Sequence, residues 1–264
     1  MINMDVSFIL LNSVLFATTS YVGKYLKYLK ASFLVPASSD FALAATILSL
    51  YFLGRADATF LIFATIPVAA ALWKSRGRQI LYLKAIAYTV TTLMIPYLSY
   101  EVYEYAQSLL TGFLFVDPNM LYLSVITVTL TSVLVAFRKN VIYSIFDPEF
   151  AALKNMRPAL WIGLLVVTSI IDGFSLTLSL GFLLAHVVAL SAVGVRETPK
   201  AAVIFFVTSL ALSSVVAAPL ACAASAVAVR AGEVLLLRLL SGREVRGLRA
   251  TGLRKALPRL SRVP

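Results

Sequence analysis

Charge, histidine and cysteine are what this sequence has least of. Only 13% of its 264 residues are Asp, Glu, Lys or Arg, against about 25% in a soluble domain. The single cysteine, Cys222, cannot form an intrachain disulfide, and in its alanine-rich apolar stretch it reads as a small packing residue. The single histidine is His186. The chain has no Gly-x-x-x-x-Gly-Lys-Ser/Thr phosphate loop, no His-Glu-x-x-His pair, no cysteine cluster and no Gly-x-Ser-x-Gly elbow. These absences argue against ATP hydrolysis, zinc catalysis and serine-hydrolase chemistry by this chain. It is expected not to be an enzyme and to need no cofactor.

What the sequence has instead is hydrophobicity, at 60% of all residues. Water would not tolerate that much apolar surface on one domain, whereas hydrocarbon would. A crossing needs roughly 20 apolar residues, because the bilayer core is about 30 Å thick and a helix rises about 1.5 Å per residue. The expected fold is therefore all-α, a polytopic transmembrane helical bundle. The apolar runs begin near Val6, Ala31, Ala58, Ile80, Met120, Pro158, Ser175, Ala201 and Ala221, which makes about nine crossings. Arg230 and Glu233 interrupt the last, so eight is the alternative count. Lys84, near one end of the fourth run, is expected to snorkel to the interface. Leu109 to Val116 is too short to span and reads as a re-entrant or interfacial piece.

Lys and Arg set the orientation. The odd loops hold Lys24/Lys27/Lys30, Lys74/Arg76/Arg78, Arg138/Lys139/Lys154/Arg157 and Arg196/Lys200. The even loops hold Arg55 alone, and the fourth is acidic with Glu101, Glu104 and Asp117. The expectation is an N-terminus outside and odd loops inside, in a multi-pass protein of the cell membrane. Nine crossings place the C-terminus in the cytoplasm. From Arg230 onward there are nine basic and two acidic residues, +7 of the net +11. The chain thus divides into a membrane domain, 1–237, and a basic tail, 238–264, suited to anionic membrane lipid. No nucleic-acid motif accompanies the charge, so no nucleic-acid partner is expected.

Polar residues within apolar runs are candidates for function. Asp40 is either a buried functional carboxylate or a residue near a helix start after Pro36. Asp172, beside Gly173, reads as an outer turn dividing two crossings. His186 reads first as an imidazole bonding across helices, because no carboxylate adjoins it in sequence. Asp40 and His186 are the candidate substrate pathway if the bundle brings them together. The metal ligands are unknown.

The longest charged inner loop contains Phe146-Asp147-Pro148-Glu149-Phe150-Ala151. Asp147 can cap a helix starting at Pro148, with Glu149 near its positive end. Such a helix is either a plain connector or a docking handle at the membrane surface. Phe-Asp-Pro-Glu-Phe-Ala here resembles the permease subunits of the ABC-3 group, importers of zinc, manganese and iron. Gly181-Phe182-Leu183-Leu184, 35 residues after Phe146, resembles the family's Gly-x-Leu-Leu run. Arg196 to Lys200 resembles the basic loop that follows, and Pro219-Leu220-Ala221-Cys222-Ala223 resembles the Pro-Ser-Gly-Ala run. The resemblance is best over residues 141–237.

The resemblance implies the permease subunit of an ABC importer, working as a homodimer. A separate cytoplasmic ABC ATPase would dock on residues 146–151, and an extracellular binding protein would deliver a divalent metal ion. The sequence departs from the family's early Asp-x-x-x-His pair, since Ala44 stands four residues after Asp40. That departure favours the alternative, a non-transporting membrane scaffold or a subunit of another complex.

Overall fold

The computed structural model describes residues 2–57, 59–62, 64, 80–111 and 118–250. The described residues fold into helices without a strand. In chain order the helices are α1 (Ile2–Tyr28), α2 (Leu34–Leu53), α3 (Ile80–Met94), α4 (Tyr100–Thr111), α5 (Pro118–Ala136), α6 (Arg138–Phe146), α7 (Pro148–Leu153), α8 (Pro158–Leu180), α9 (Phe182–Val193), α10 (Thr198–Leu212) and α11 (Ala218–Ala250). The third expected crossing, with Lys74, Arg76 and Arg78, lies outside the described residues except for a few positions after Asp57. So do Asp117, most of the Leu109–Val116 piece and residues 251–264.

Among the described residues, four helices are long and apolar enough to cross a membrane, within α1, α2, α8 and α11. A fifth span forms if the bent pair α5–α6, which turns by 75°, counts as one. α9 and α10 are apolar but shorter. This is the architecture of a helical membrane protein: with no water in hydrocarbon, each segment must satisfy its own backbone hydrogen bonds.

Several boundaries differ from those expected. The expected break at Asp172 and Gly173 does not exist, because α8 runs straight through both to Leu180. The break falls at Gly181, whose φ of 76° and ψ of 163° suit glycine alone. Helix α11 also continues through Arg230 and Glu233, the expected interruption. Both side chains are used locally. Arg230 donates to the Gly194 carbonyl at 2.6 Å, and Glu233 accepts from the Arg196 backbone N–H at 2.7 Å. Together they tie α11 to the end of α9. Glu101 and Glu104 lie on α4, where an acidic loop was expected.

Helix α8 is the centre of the bundle. Its inner residues from Leu165 to Leu180 are buried apart from Val167, and it packs on α1, α2, α5 and α9. Gly173 explains its closeness to α2. A methyl group there would overlap the Ser38 side chain and meet the Ser38 carbonyl carbon at 3.1 Å. Small residues at such crossings let helix backbones approach where lipid supplies no hydrophobic driving force. At Gly163, nearer the start of the same helix, a methyl group would find nothing within 4 Å. Thermal unfolding in detergent should separate the two sites. Gly173→Ala should lose about 1–3 kcal/mol by overpacking, while Gly163→Ala should be neutral or gain up to about 1 kcal/mol from helix propensity.

Candidate functional site

Asp40 sits two turns into α2, and only 1% of its surface is exposed. It is therefore no helix-end residue, and a carboxylate so placed must be compensated. Three side chains from two other helices do this. Lys84 of α3 brings Nζ to 2.6 Å from Oδ2. That contact is a charge pair outside hydrogen-bond angles, so Oδ2 has no hydrogen-bond partner among the described residues. Tyr88, one turn further along α3, donates its hydroxyl to Oδ1 at 2.7 Å. His186 of α9 brings Nε2 to 3.2 Å from the same oxygen.

The second nitrogen of His186 is also engaged. Nδ1 lies 3.1 Å from the Phe182 carbonyl. Nε2 faces the Asp40 carboxylate, so each ring nitrogen has an oxygen within reach. The His186 ring also stands edge-on to Phe182, with centroids 4.6 Å apart. Gly181 makes this possible by ending α8 and re-aiming the chain, so that α9 presents Phe182 and His186 towards α2 and α3.

The two residues expected to form a pathway, Asp40 and His186, do meet. The absence of a carboxylate near His186 holds along the sequence but not in space. Lys84 and Tyr88 are members of the site that sequence reasoning missed. Lys84 does not snorkel to the interface, because the buried charge of Asp40 draws its ammonium inward. The available signal was their spacing: a lysine and a tyrosine four residues apart share a helix face, here within an otherwise apolar run.

Asp172 is likewise not the outer turn expected of it but a buried residue of α8, held by two hydroxyls of α1. Thr18 donates to Oδ1 at 2.7 Å and Thr19 to Oδ2 at 2.5 Å. The same face of α8 carries Ser175, which bonds Thr127 of α5 at 3.1 Å, and Ser179, which donates to Asn12 of α1 at 2.8 Å. These contacts form a polar seam between helices. Asp172 has hydroxyl partners, whereas Asp40 combines a phenol with the Lys84 ammonium and the His186 ring.

The segment at residues 146–151 has the local form read from sequence. Asp147 accepts from the Phe150 backbone N–H at 3.0 Å, Pro148 opens α7, and Glu149 lies in its first turn. Ala151 is buried, while Phe146 is 59% and Leu153 83% exposed. Phe146 packs edge-on against Tyr28 at the end of α1, with ring centroids 4.8 Å apart, so the first and fifth loops share one end of the bundle. Among the described residues, no three His, Cys, Asp or Glu side chains are grouped to hold a metal ion.

No protein-family model matches the chain, and no curated protein does. A solved structure does match: PsaBC from Streptococcus pneumoniae, in complex with Fab, at 17% sequence identity and a TM-score of 0.65. The alignment covers 84% of this chain and 88% of that one, so the two share a fold over nearly their full lengths.

The Asp40 cluster makes a stability prediction. Removing one partner of a buried ion pair strands the other. Lys84→Ala should therefore cost about 3 kcal/mol in detergent unfolding. Adding Asp40→Asn should recover most of that loss, and additive losses in the double variant would mean that the pair does not interact.

Proposed function

We propose that this chain is the membrane permease subunit of an ATP-binding-cassette importer, working as a homodimer and driven by a separate cytoplasmic ATPase. The observation that carries the reading is the Asp147-capped helix α7. It is short and exposed at the bundle end that also holds the basic end of α1 and Arg196 after α9. The ordered resemblance of residues 146–151, 181–184 and 219–223 to ABC-3 permeases supports it, as does a fold shared with PsaBC over most of the chain. In this reading the chain performs no chemistry of its own. ATP-driven closure of the ATPase pair pushes on α7, and the bundle alternates its access. An extracellular binding protein delivers cargo on the opposite side.

The cargo implied by the resemblance is a divalent metal ion, and Asp40 with His186 forms the candidate pathway. These two offer a carboxylate and an imidazole, donor types that suit borderline metals. Lys84 already supplies positive charge to that carboxylate, so a metal ion entering there must displace the ammonium. This pairing, with Ala44 in place of the family's histidine, is the specific observation that favours the alternative of a non-transporting membrane scaffold.

Two measurements separate the readings. Asp147→Lys with Glu149→Lys should abolish co-purification of a co-expressed ABC ATPase while leaving the melting temperature within a few degrees; retained co-purification counts against coupling through α7. In Lys84→Ala, added Mn²⁺ or Zn²⁺ should raise the melting temperature if Asp40 and His186 accept cargo. No rise with either ion favours the scaffold.

A further inference from the structure

A cavity lies away from Asp40, at the bundle end where α1 and α9 finish. Its volume is about 1010 Å³, near the upper end of the roughly 300–1,000 Å³ of small-molecule sites. Five cationic residues line it: Lys24 and Lys27 of α1, Arg196 after α9, and Arg230 and Arg238 of α11. They come from three separate parts of the chain, so their convergence is a property of the fold.

Among the described residues Glu233 is an acidic side chain in contact with this group, and it is already committed. It accepts from the Arg196 backbone N–H and pairs with Arg230 at 3.2 Å. Arg230 in turn donates to the Gly194 carbonyl, and Gly194 leaves room for its guanidinium because a side chain there would overlap it. Arg230 and Glu233 thus fix the back of the cavity. Glu197, the next acidic residue along the chain, is paired with Lys200 at 2.6 Å. Among the described residues five cations and no carboxylate line the cavity, and with Arg230 paired to Glu233 its walls still carry an excess of positive charge.

We propose that this cavity binds the phosphate headgroup of an anionic phospholipid. Phosphate matches the charge, and Arg and Lys donors are its usual partners. The rest of the lining favours a lipid over a free phosphate. Val234 and Leu237 share the wall with the cations, and Leu235 and Leu236 of the same helix face outward, at 60% and 59% exposure. A headgroup held by the cations would leave its acyl chains along this apolar side of α11. Basic pockets between membrane helices on the cytoplasmic side take such headgroups, and the odd loops that supply Lys24, Lys27 and Arg196 are the ones the charge rule puts inside. The bound lipid would bridge α1, α9 and α11 at the end where α7 lies.

The test uses the full-length chain in a non-ionic detergent, with phosphatidylglycerol, phosphatidylcholine and inorganic phosphate as probes and native mass spectrometry as the readout. Phosphatidylglycerol should bind, and phosphatidylcholine should bind much more weakly. Lys24→Gln with Lys27→Gln should weaken phosphatidylglycerol about 30-fold, the expected result of removing two charges near the membrane surface. Both lysines are exposed, so the variant should keep its melting temperature. Lys154→Gln with Arg157→Gln removes two charges outside the cavity and should change binding by less than about twofold. Equal binding of the two lipids, or equal losses in the two double variants, would overturn the site. Displacement of the lipid by millimolar inorganic phosphate would show a free-anion site and overturn the lipid assignment.

Discussion

The bundle depends on how closely α8 can approach its neighbours. At Gly173 the missing side chain is replaced by Ser38 of α2, and the two backbones come together there. The inner part of α8, from Leu165 to Leu180, is buried apart from Val167, and hydrocarbon offers no substitute hydrogen bonds. Thr168 and Thr177 bond back to their own helix, and three other polar groups are met by neighbouring helices. Asp172 is met by Thr18 and Thr19, Ser175 by Thr127, and Ser179 by Asn12. One tight crossing therefore dictates a seam of specific partners, and the seam fixes α1 and α5 around α8.

The two buried carboxylates show how surroundings divide similar residues. Asp172 lies among hydroxyls and links helices within the seam. Asp40 lies between an ammonium and an imidazole, with a phenol on the same oxygen as the imidazole. Ion pairs of this kind are poor sources of stability, because desolvation consumes most of the attraction. The break at Gly181 lies five residues before His186, between the helix that packs on α2 and the one that carries the imidazole.

The end of the bundle opposite the Arg55–Asp57 loop collects positive charge and surface-exposed aromatic groups. Tyr28 belongs to both features there: it lines the basic cavity and packs on Phe146, next to α7. Lipid at the cavity and a protein at α7 would meet within a few side chains of one another. The end of α1 would then respond to both.

The sequence by itself determined the apolar surroundings, the all-helical class and the local form of α7. Those follow from composition, from run lengths set by bilayer thickness, and from a capping pattern contained in a few consecutive residues. It also supplied Asp40 and His186 as candidates, because charge within hydrocarbon is costly wherever it occurs. Only the tertiary structure decided that they touch, that Lys84 turns inward to join them, and that Asp172 lies in an unbroken helix. In a sequence, Asp beside Gly reads as a turn; in the bundle, Thr18 and Thr19 satisfy the carboxylate and Ser38 fills the space over the glycine. The cost of a buried polar group depends on partners more than a hundred residues away, and no local pattern records them.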